Sequence, residues 1–168
     1  IGGPAGFGVL YVRKNAHVRP LLSGGNQERG RRAGTENVML IAGLAKAAKL
    51  ARARLVDWGK VAEFRDELRS GILKEIPHVI LNSPKEGCLP NILNVSFEAI
   101  EGEALQLMLD EVGIAVSTGS ACASSKLEPS HVIMATRNNA EIAHGSVRFS
   151  LGLDTTAEDI QYVMEVLP

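Results

Sequence analysis

Apolar and polar positions along the 168-residue chain change period several times, and each change marks an element. Residues 8–12, Gly-Val-Leu-Tyr-Val, are a short run rich in β-branched and aromatic residues, set between Pro4 with its neighbouring glycines and Arg13-Lys14-Asn15. That pattern predicts a buried strand. Residues 22–35 turn to glycine and arginine with no hydrophobic period, and a loop is expected there. Beyond Thr35, a good N-cap residue, Val38, Ile41, Ala42, Ala45, Ala48 and Ala51 recur at helical spacing and predict a helix from about 36 to 54. Val61, Phe64, Leu68, Ile72 and Leu73 predict a second amphipathic helix that ends at Pro77.

From there the period shortens. Residues 79–81 read as a short strand, and residues 91–97 alternate as a half-buried antiparallel strand does. Leu105, Met108, Leu109 and Val112 place a helix over 101–112, which Gly113 stops. A strand at 114–116, small residues over 117–125, a short helix at 130–135 and a strand at 146–150 follow. A final helix over 156–167 has Thr156 as its cap and Glu158 and Asp159 in its first turn. Strands and helices mix without a strict βαβ repeat from residue 79 onward, so an α+β arrangement with an antiparallel sheet is expected. The chain opens on Ile1 rather than Met and stops inside an amphipathic pattern, and so reads as a piece cut at both ends.

Composition narrows the function classes. With 45% hydrophobic and 22% charged residues the chain is neither disordered nor fibrous. Its length allows one full core, or one core plus part of another. A net charge of −1 creates no general attraction for nucleic acid or an anionic membrane, so any anion site must be local. Aromatic residues, at 4%, are too few for base-stacking platforms. The longest apolar stretch, 38–45, is far short of the roughly 20 residues that span a bilayer. Two cysteines, Cys88 and Cys122, make neither a disulfide framework nor a CxxC metal site, and no signal peptide precedes them. The expected compartment is the cytoplasm or an organelle matrix.

Three places could carry chemistry. Cys122 lies in a run of Ser, Thr, Gly and Ala that cannot bury it, so it is either an accessible nucleophilic thiol or an incidental loop cysteine. Cys88, beside Gly87 and Pro90, is expected to be structural or incidental. Arg148 sits in Ser-Val-Arg-Phe-Ser, where period two turns it away from Val147 and Phe149. It is either a strand-mounted fork for a carboxylate or a solvated arginine on an open sheet face. The loop ending at Gly34-Thr35 offers glycines and a helix N-terminus suited to a small phosphate. Its arginines, Arg29, Arg31 and Arg32, could instead form a nucleic-acid patch or a solvated surface. The four histidines show no ligand spacing, though His144 is close enough to the Arg148 strand to be worth testing.

In order and spacing, residues 24–37 (GGNQERGRRAGTEN), 90–97 (PNILNVSF), 117–122 (STGSAC) and 143–152 (AHGSVRFSLG) resemble the cysteine desulfurases, pyridoxal-phosphate enzymes of the class V aminotransferase superfamily. The resemblance covers nearly the whole chain and implies a fold-type I α/β transferase. Residues 1–55 would be the C-terminal remnant of its large cofactor-binding domain. Residues 56–168 would be its small C-terminal α+β domain, truncated in the last helix. It implies conversion of L-cysteine to L-alanine with the sulfur held as a persulfide on Cys122. Arg148 would hold the substrate carboxylate, and Thr35 would bind the cofactor phosphate of the neighbouring subunit of a homodimer.

The stretch after Ser120 is similar to the long-loop group that feeds iron–sulfur cluster assembly, in which the same cysteine also helps ligate a cluster shared with a scaffold partner. Neither nucleic acid nor membrane is an expected partner. In the family a His-Lys pair, whose lysine carries the cofactor, immediately precedes the segment matching residues 1–4, so this chain alone is expected to be inactive. Ala5, Asn26 and Leu153 depart from the usual lysine, glycine and arginine at those places. The rival readings are a selenocysteine lyase or another class V enzyme, a non-catalytic sulfur-carrier or scaffold-binding protein, and, more weakly, a nucleic-acid-binding module using Arg29 to Arg32.

Overall fold

Helical periodicity after Asn37 and strand alternation after Asn91 build two different kinds of structure. The computed structural model describes residues 1–119 and 129–168. The chain divides into two compact units, Ile1–Leu55 and Val56–Pro168.

The first unit holds a helical turn, α1 (Gln27–Gly30), and one long helix, α2 (Val38–Ala53). Glu28 and Arg29 have φ of 50° and 60°, so α1 is a tight left-handed turn within the loop rather than a continuous helix. Asn37 caps α2, its Oδ1 accepting from the Leu40 N–H at 3.2 Å. The expected cap, Thr35, lies outside the helix, because the cap must directly precede the first helical residue and Asn serves there at least as well as Thr. Residues 8–12 are not a strand: they are irregular, with Val9 75% and Tyr11 84% exposed. A strand requires a neighbour for its N–H and C=O groups, and none of the strand pairings among the described residues involves this unit.

A 3₁₀ turn, Arg54–Asp57, spans the boundary between the units. The second unit then runs α3 (Trp58–Glu75), β1 (Val79–Leu81), β2 (Ile92–Phe97), α4 (Gly102–Glu111), β3 (Ser117–Thr118), α5 (His131–Arg137), α6 (Ala140–His144), β4 (Ser146–Ser150) and α7 (Ala157–Val166). The strands form one antiparallel sheet in the order β1-β2-β4-β3. Leu93, Val95 and Phe97 of β2 and Val147 and Phe149 of β4 are buried in one core with Val61, Phe64, Leu68 and Ile72 of α3 and Ile160 of α7. α7 opens with a capping box in which Thr156 and Asp159 satisfy each other's backbone N–H groups.

Two boundaries differ from the expected ones for local reasons. The strand expected at 114–116 forms at Ser117–Thr118 instead. Ile114 donates its N–H to the Leu109 carbonyl at 2.8 Å, after Gly113 takes φ +83°, so the chain is still closing α4 there. α6 is too short to show a period and is set by Asn139, whose Oδ1 accepts from the N–H groups of Glu141 and Ile142.

Gly145, between α6 and β4, permits a close approach. A Cβ at that position would stand 2.2 Å from the Phe97 carbonyl oxygen, while the Gly145 carbonyl itself accepts from the Phe97 N–H at 3.0 Å. The core tolerates little change of volume. Ile72 is fully buried (0% exposed), and Ile72→Ala is expected to destabilise this unit by about 3 kcal/mol, read as a lowered urea midpoint at unchanged slope.

Candidate functional site

The second face of the sheet is polar, and it is covered at only one end. In register, Ser96 pairs with Ser146 and Asn94 pairs with Arg148, which pairs in turn with Ser117 on β3. Ser96 Oγ donates to the Ile142 carbonyl at 2.6 Å, and Ser146 Oγ donates to the Ala143 carbonyl at 2.9 Å. The backbone of α6 thereby closes over both serines, each 1% exposed. One pair further along, the cover stops. Arg148 and Ser150 are exposed, while Val147 and Phe149 between them are buried on the core face.

Strand period two therefore presents the Arg148 guanidinium on the open part of the polar face, and among the described residues no acceptor meets it. A guanidinium with free donors, on a strand anchored by buried neighbours, has the geometry to take a carboxylate in bidentate fashion. A groove of about 220 Å³ lies beyond Ser96, bordered by Ser96, Phe97, Glu98, Asn139, Glu141 and Ile142. Its two carboxylates disfavour an anionic ligand there.

The neighbours of Arg148 are themselves fixed. The Asn94 N–H donates to Ser83 Oγ at 2.8 Å, and its carbonyl accepts from the N–H groups of Asn82 and Ser83 at 2.9 and 3.1 Å. Asn82 Nδ2 donates both to Asn94 Oδ1 at 2.8 Å and to Ser96 Oγ at 2.7 Å, while Asn82 Oδ1 is buried with no partner. Nothing in the sequence singles out this asparagine pair. Alternation along β2 does place Asn94 and Ser96 on the face opposite Leu93 and Val95, but the register that sets Asn94 against Arg148 is a long-range property.

Thr35 belongs to the first unit and is exposed, two residues before the Asn37 cap. The loop leading to it closes on itself, Gln27 Oε1 accepting from the Gly34 N–H at 3.2 Å and Arg32 Nη1 donating to the Ala33 carbonyl at 2.7 Å. Gly34 has φ +103°, a conformation that favours glycine and delivers the chain into Thr35. Among the described residues nothing engages the Thr35 hydroxyl. These features fit a single hydroxyl donor for a phosphate oxygen, with the N–H groups of the first turn of α2 close by in sequence.

Cys122 lies outside the described residues. Cys88 is a half-buried free thiol that accepts from Arg65 Nη1 at 3.3 Å. The same Nη1 donates to the Leu89 carbonyl at 2.9 Å, and Asp66 lies 2.8 Å from Arg65 Nη2, a structural setting for a buried arginine. His144 Nδ1 is 3.9 Å from Glu101 Oε2, and among the described residues no hydrogen bond joins it to Arg148. Among the described residues no group of three or more His, Cys, Asp or Glu is placed to hold a metal, and no helix is long and apolar enough to cross a membrane.

Comparison with known proteins gives the frame for these features. A family model described as Aminotransferase class-V matches residues 1–163. A cysteine desulfurase of Enterobacter agglomerans is 48% identical over 168 residues, which is all of this chain and 42% of that protein. Cysteine desulfurase IscS of Methanosarcina thermophila is 53% identical over 167 residues, 99% of this chain and 41% of that one. The solved structure of a NifS-like protein aligns with a TM-score of 0.84 at 38% identity, covering 97% of this chain and 41% of its own. The chain thus spans about two-fifths of the length of these relatives.

Proposed function

The chain belongs to the class-V aminotransferase family, and from that membership we propose that it is part of a cysteine desulfurase that uses pyridoxal phosphate. The observation that carries the reading is the Arg148 guanidinium, held on β4, exposed, and met by no acceptor among the described residues. Substrates of this chemistry are amino acids, and a planar fork with free donors suits their α-carboxylate. β3, the strand on the other side of Arg148, leads directly into the segment that contains Cys122. Cys122 follows Thr118, the last residue of β3, by four residues in the sequence.

In this reading Arg148 orients the substrate carboxylate and Cys122, as thiolate, attacks the substrate sulfur. The Cβ–S bond breaks and its electron pair stays with carbon, which gains a proton to give L-alanine. An S–S bond forms on Cys122, and the sulfur leaves oxidised to the sulfane level. Bound pyridoxal phosphate supplies the electron sink that makes the carbon framework reactive. Thr35 donates its hydroxyl to the phosphate in a neighbouring copy, so the working protein is a homodimer. Residues 1–55 are the end of the large cofactor-binding domain and residues 56–168 the small one. The persulfide passes to an iron–sulfur scaffold or another sulfur-acceptor protein in the cytoplasm or an organelle matrix, and Cys122 can serve as a cluster ligand in that complex.

The test is to incubate the full-length protein, loaded with pyridoxal phosphate, with L-cysteine and no reductant, and to follow alanine and protein-bound sulfur together. One sulfur on the protein for each alanine released in the first turnover is expected. Alanine without protein-bound sulfur, or no alanine, overturns the proposal.

A further inference from the structure

We propose that Asn94 is a second donor to the substrate carboxylate, its side-chain NH₂ directed to the Arg148 side of the sheet by a one-way chain of hydrogen bonds. This inference rests on the reading of Arg148 as the carboxylate clamp. The direction of the chain follows from which atoms carry protons. The Ile142 carbonyl has none, so the 2.6 Å bond between it and Ser96 Oγ uses the serine proton. Ser96 Oγ can then only accept from Asn82, at 2.7 Å, and the Asn82 atom facing it must be the NH₂. The same NH₂ lies 2.8 Å from the Asn94 amide, so the Asn94 atom facing Asn82 must be the acceptor, Oδ1. The cost of this orientation is visible in Asn82 Oδ1, which is left buried without a partner.

Asn82 lies at the β1 side of β2, and Arg148 lies on β4 at the other side. With Oδ1 turned toward Asn82, the planar amide of Asn94 turns its Nδ2 away from β1. Asn94 and Arg148 are directly paired, so their side chains leave the same face with Cβ atoms about 5 Å apart. Nδ2 has no acceptor among the described residues, and neither has the guanidinium. Two adjacent groups that can only donate do not satisfy each other. They converge on an acceptor, and a carboxylate has two oxygens to offer. The Asn94 backbone is held at both its N–H and its C=O by the Asn82-Ser83 corner, and its Oδ1 by Asn82, so the direction of this second donor is fixed.

The test uses the full-length protein and two probes, L-alanine and L-alaninamide, which differ in the carboxylate alone. Asn94→Asp keeps the oxygen that faces Asn82 and turns the other group from donor to acceptor, where it captures Arg148. L-alanine affinity should fall about a hundredfold or more, with L-alaninamide affinity unchanged. Asn94→Ala, which only removes the donor, should weaken L-alanine about tenfold and raise the KM for L-cysteine similarly with little change in kcat. Equal losses for both probes mean a merely structural role and overturn the proposal. If Arg148→Ala weakens L-alanine while both Asn94 variants bind it normally, the proposal fails and the Arg148 reading stands. If Arg148→Ala leaves the preference for L-alanine over L-alaninamide intact, the reading of Arg148 falls and this inference with it.

Discussion

Cys122→Ser in the full-length protein is expected to lower persulfide formation from L-cysteine by at least about a thousandfold while leaving L-alanine binding unchanged. The size of the effect follows from the atom removed. A thiol with an ordinary pKa near 8.5 is a few per cent thiolate at neutral pH and is intrinsically very nucleophilic, whereas a serine hydroxyl has no comparable ionised fraction. An oxygen in its place cannot form the S–S bond in which the transferred sulfur is held. Cys88 provides the internal control, since its thiol is half-buried against Arg65. Cys88→Ser should leave the rate near that of the parent. The readout is the mass of one added sulfur atom per chain after a single turnover. A Cys122→Ser protein that still gains it at the parental rate removes Cys122 from the role of nucleophile.

The elements that can be read from the sequence are those whose periodicity reflects a local decision. α3 shows its buried stripe at Val61, Phe64, Leu68 and Ile72 because one face of one helix does the burying. β2 and β4 alternate because one side of the sheet is core, and for the same reason the facing of Arg148 follows from strand period alone. The capping box at Thr156 and Asp159 is likewise complete within four neighbouring residues. Residues 8–12 have the same kind of apolar run, but strand formation depends on a partner elsewhere in the chain, and no composition supplies one. Ile114 shows a related failure: its side chain is buried as a strand residue's would be, yet its N–H is still committed to α4.

The candidate site divides along the same line. Single residues with an unusual setting, Cys122 among small residues, Arg148 between two apolar neighbours and Thr35 behind a glycine, announce themselves in the sequence. What joins residues does not. The chain of hydrogen bonds from Ile142 through Ser96 and Asn82 to Asn94 links a helix, a strand and a corner that lie far apart in sequence. Nothing in the alternation of β2 distinguishes Asn94 from any other outward-facing polar residue until the register places it beside Arg148. A polar position on an open sheet face is ordinary. One whose backbone and acceptor are fully engaged, and whose donor alone is free, has a direction.

Arg148→Ala is expected to lower kcat/KM for L-cysteine in the full-length protein by about a hundred- to a thousandfold, most of it through KM. Where bound substrate and the rest of the full-length protein exclude water from Arg148, removing one partner of the charge pair leaves the substrate carboxylate without its counter-charge, which costs about 2–5 kcal/mol. Arg148→Lys restores the charge but not the planar fork, and should recover part of the loss while remaining about tenfold below the parent. The same exposure that makes Arg148 a candidate also separates function from folding. Its side chain meets no acceptor among the described residues and packs on no core face, so either substitution should change the stability of the protein by no more than about 0.5 kcal/mol. A large loss of kcat/KM at constant stability is what a binding group predicts. A loss that tracks a lowered unfolding midpoint, or an unchanged KM in Arg148→Ala, would show that this arginine is only a solvated residue on an open sheet, and the carboxylate would have to be held from the other domain.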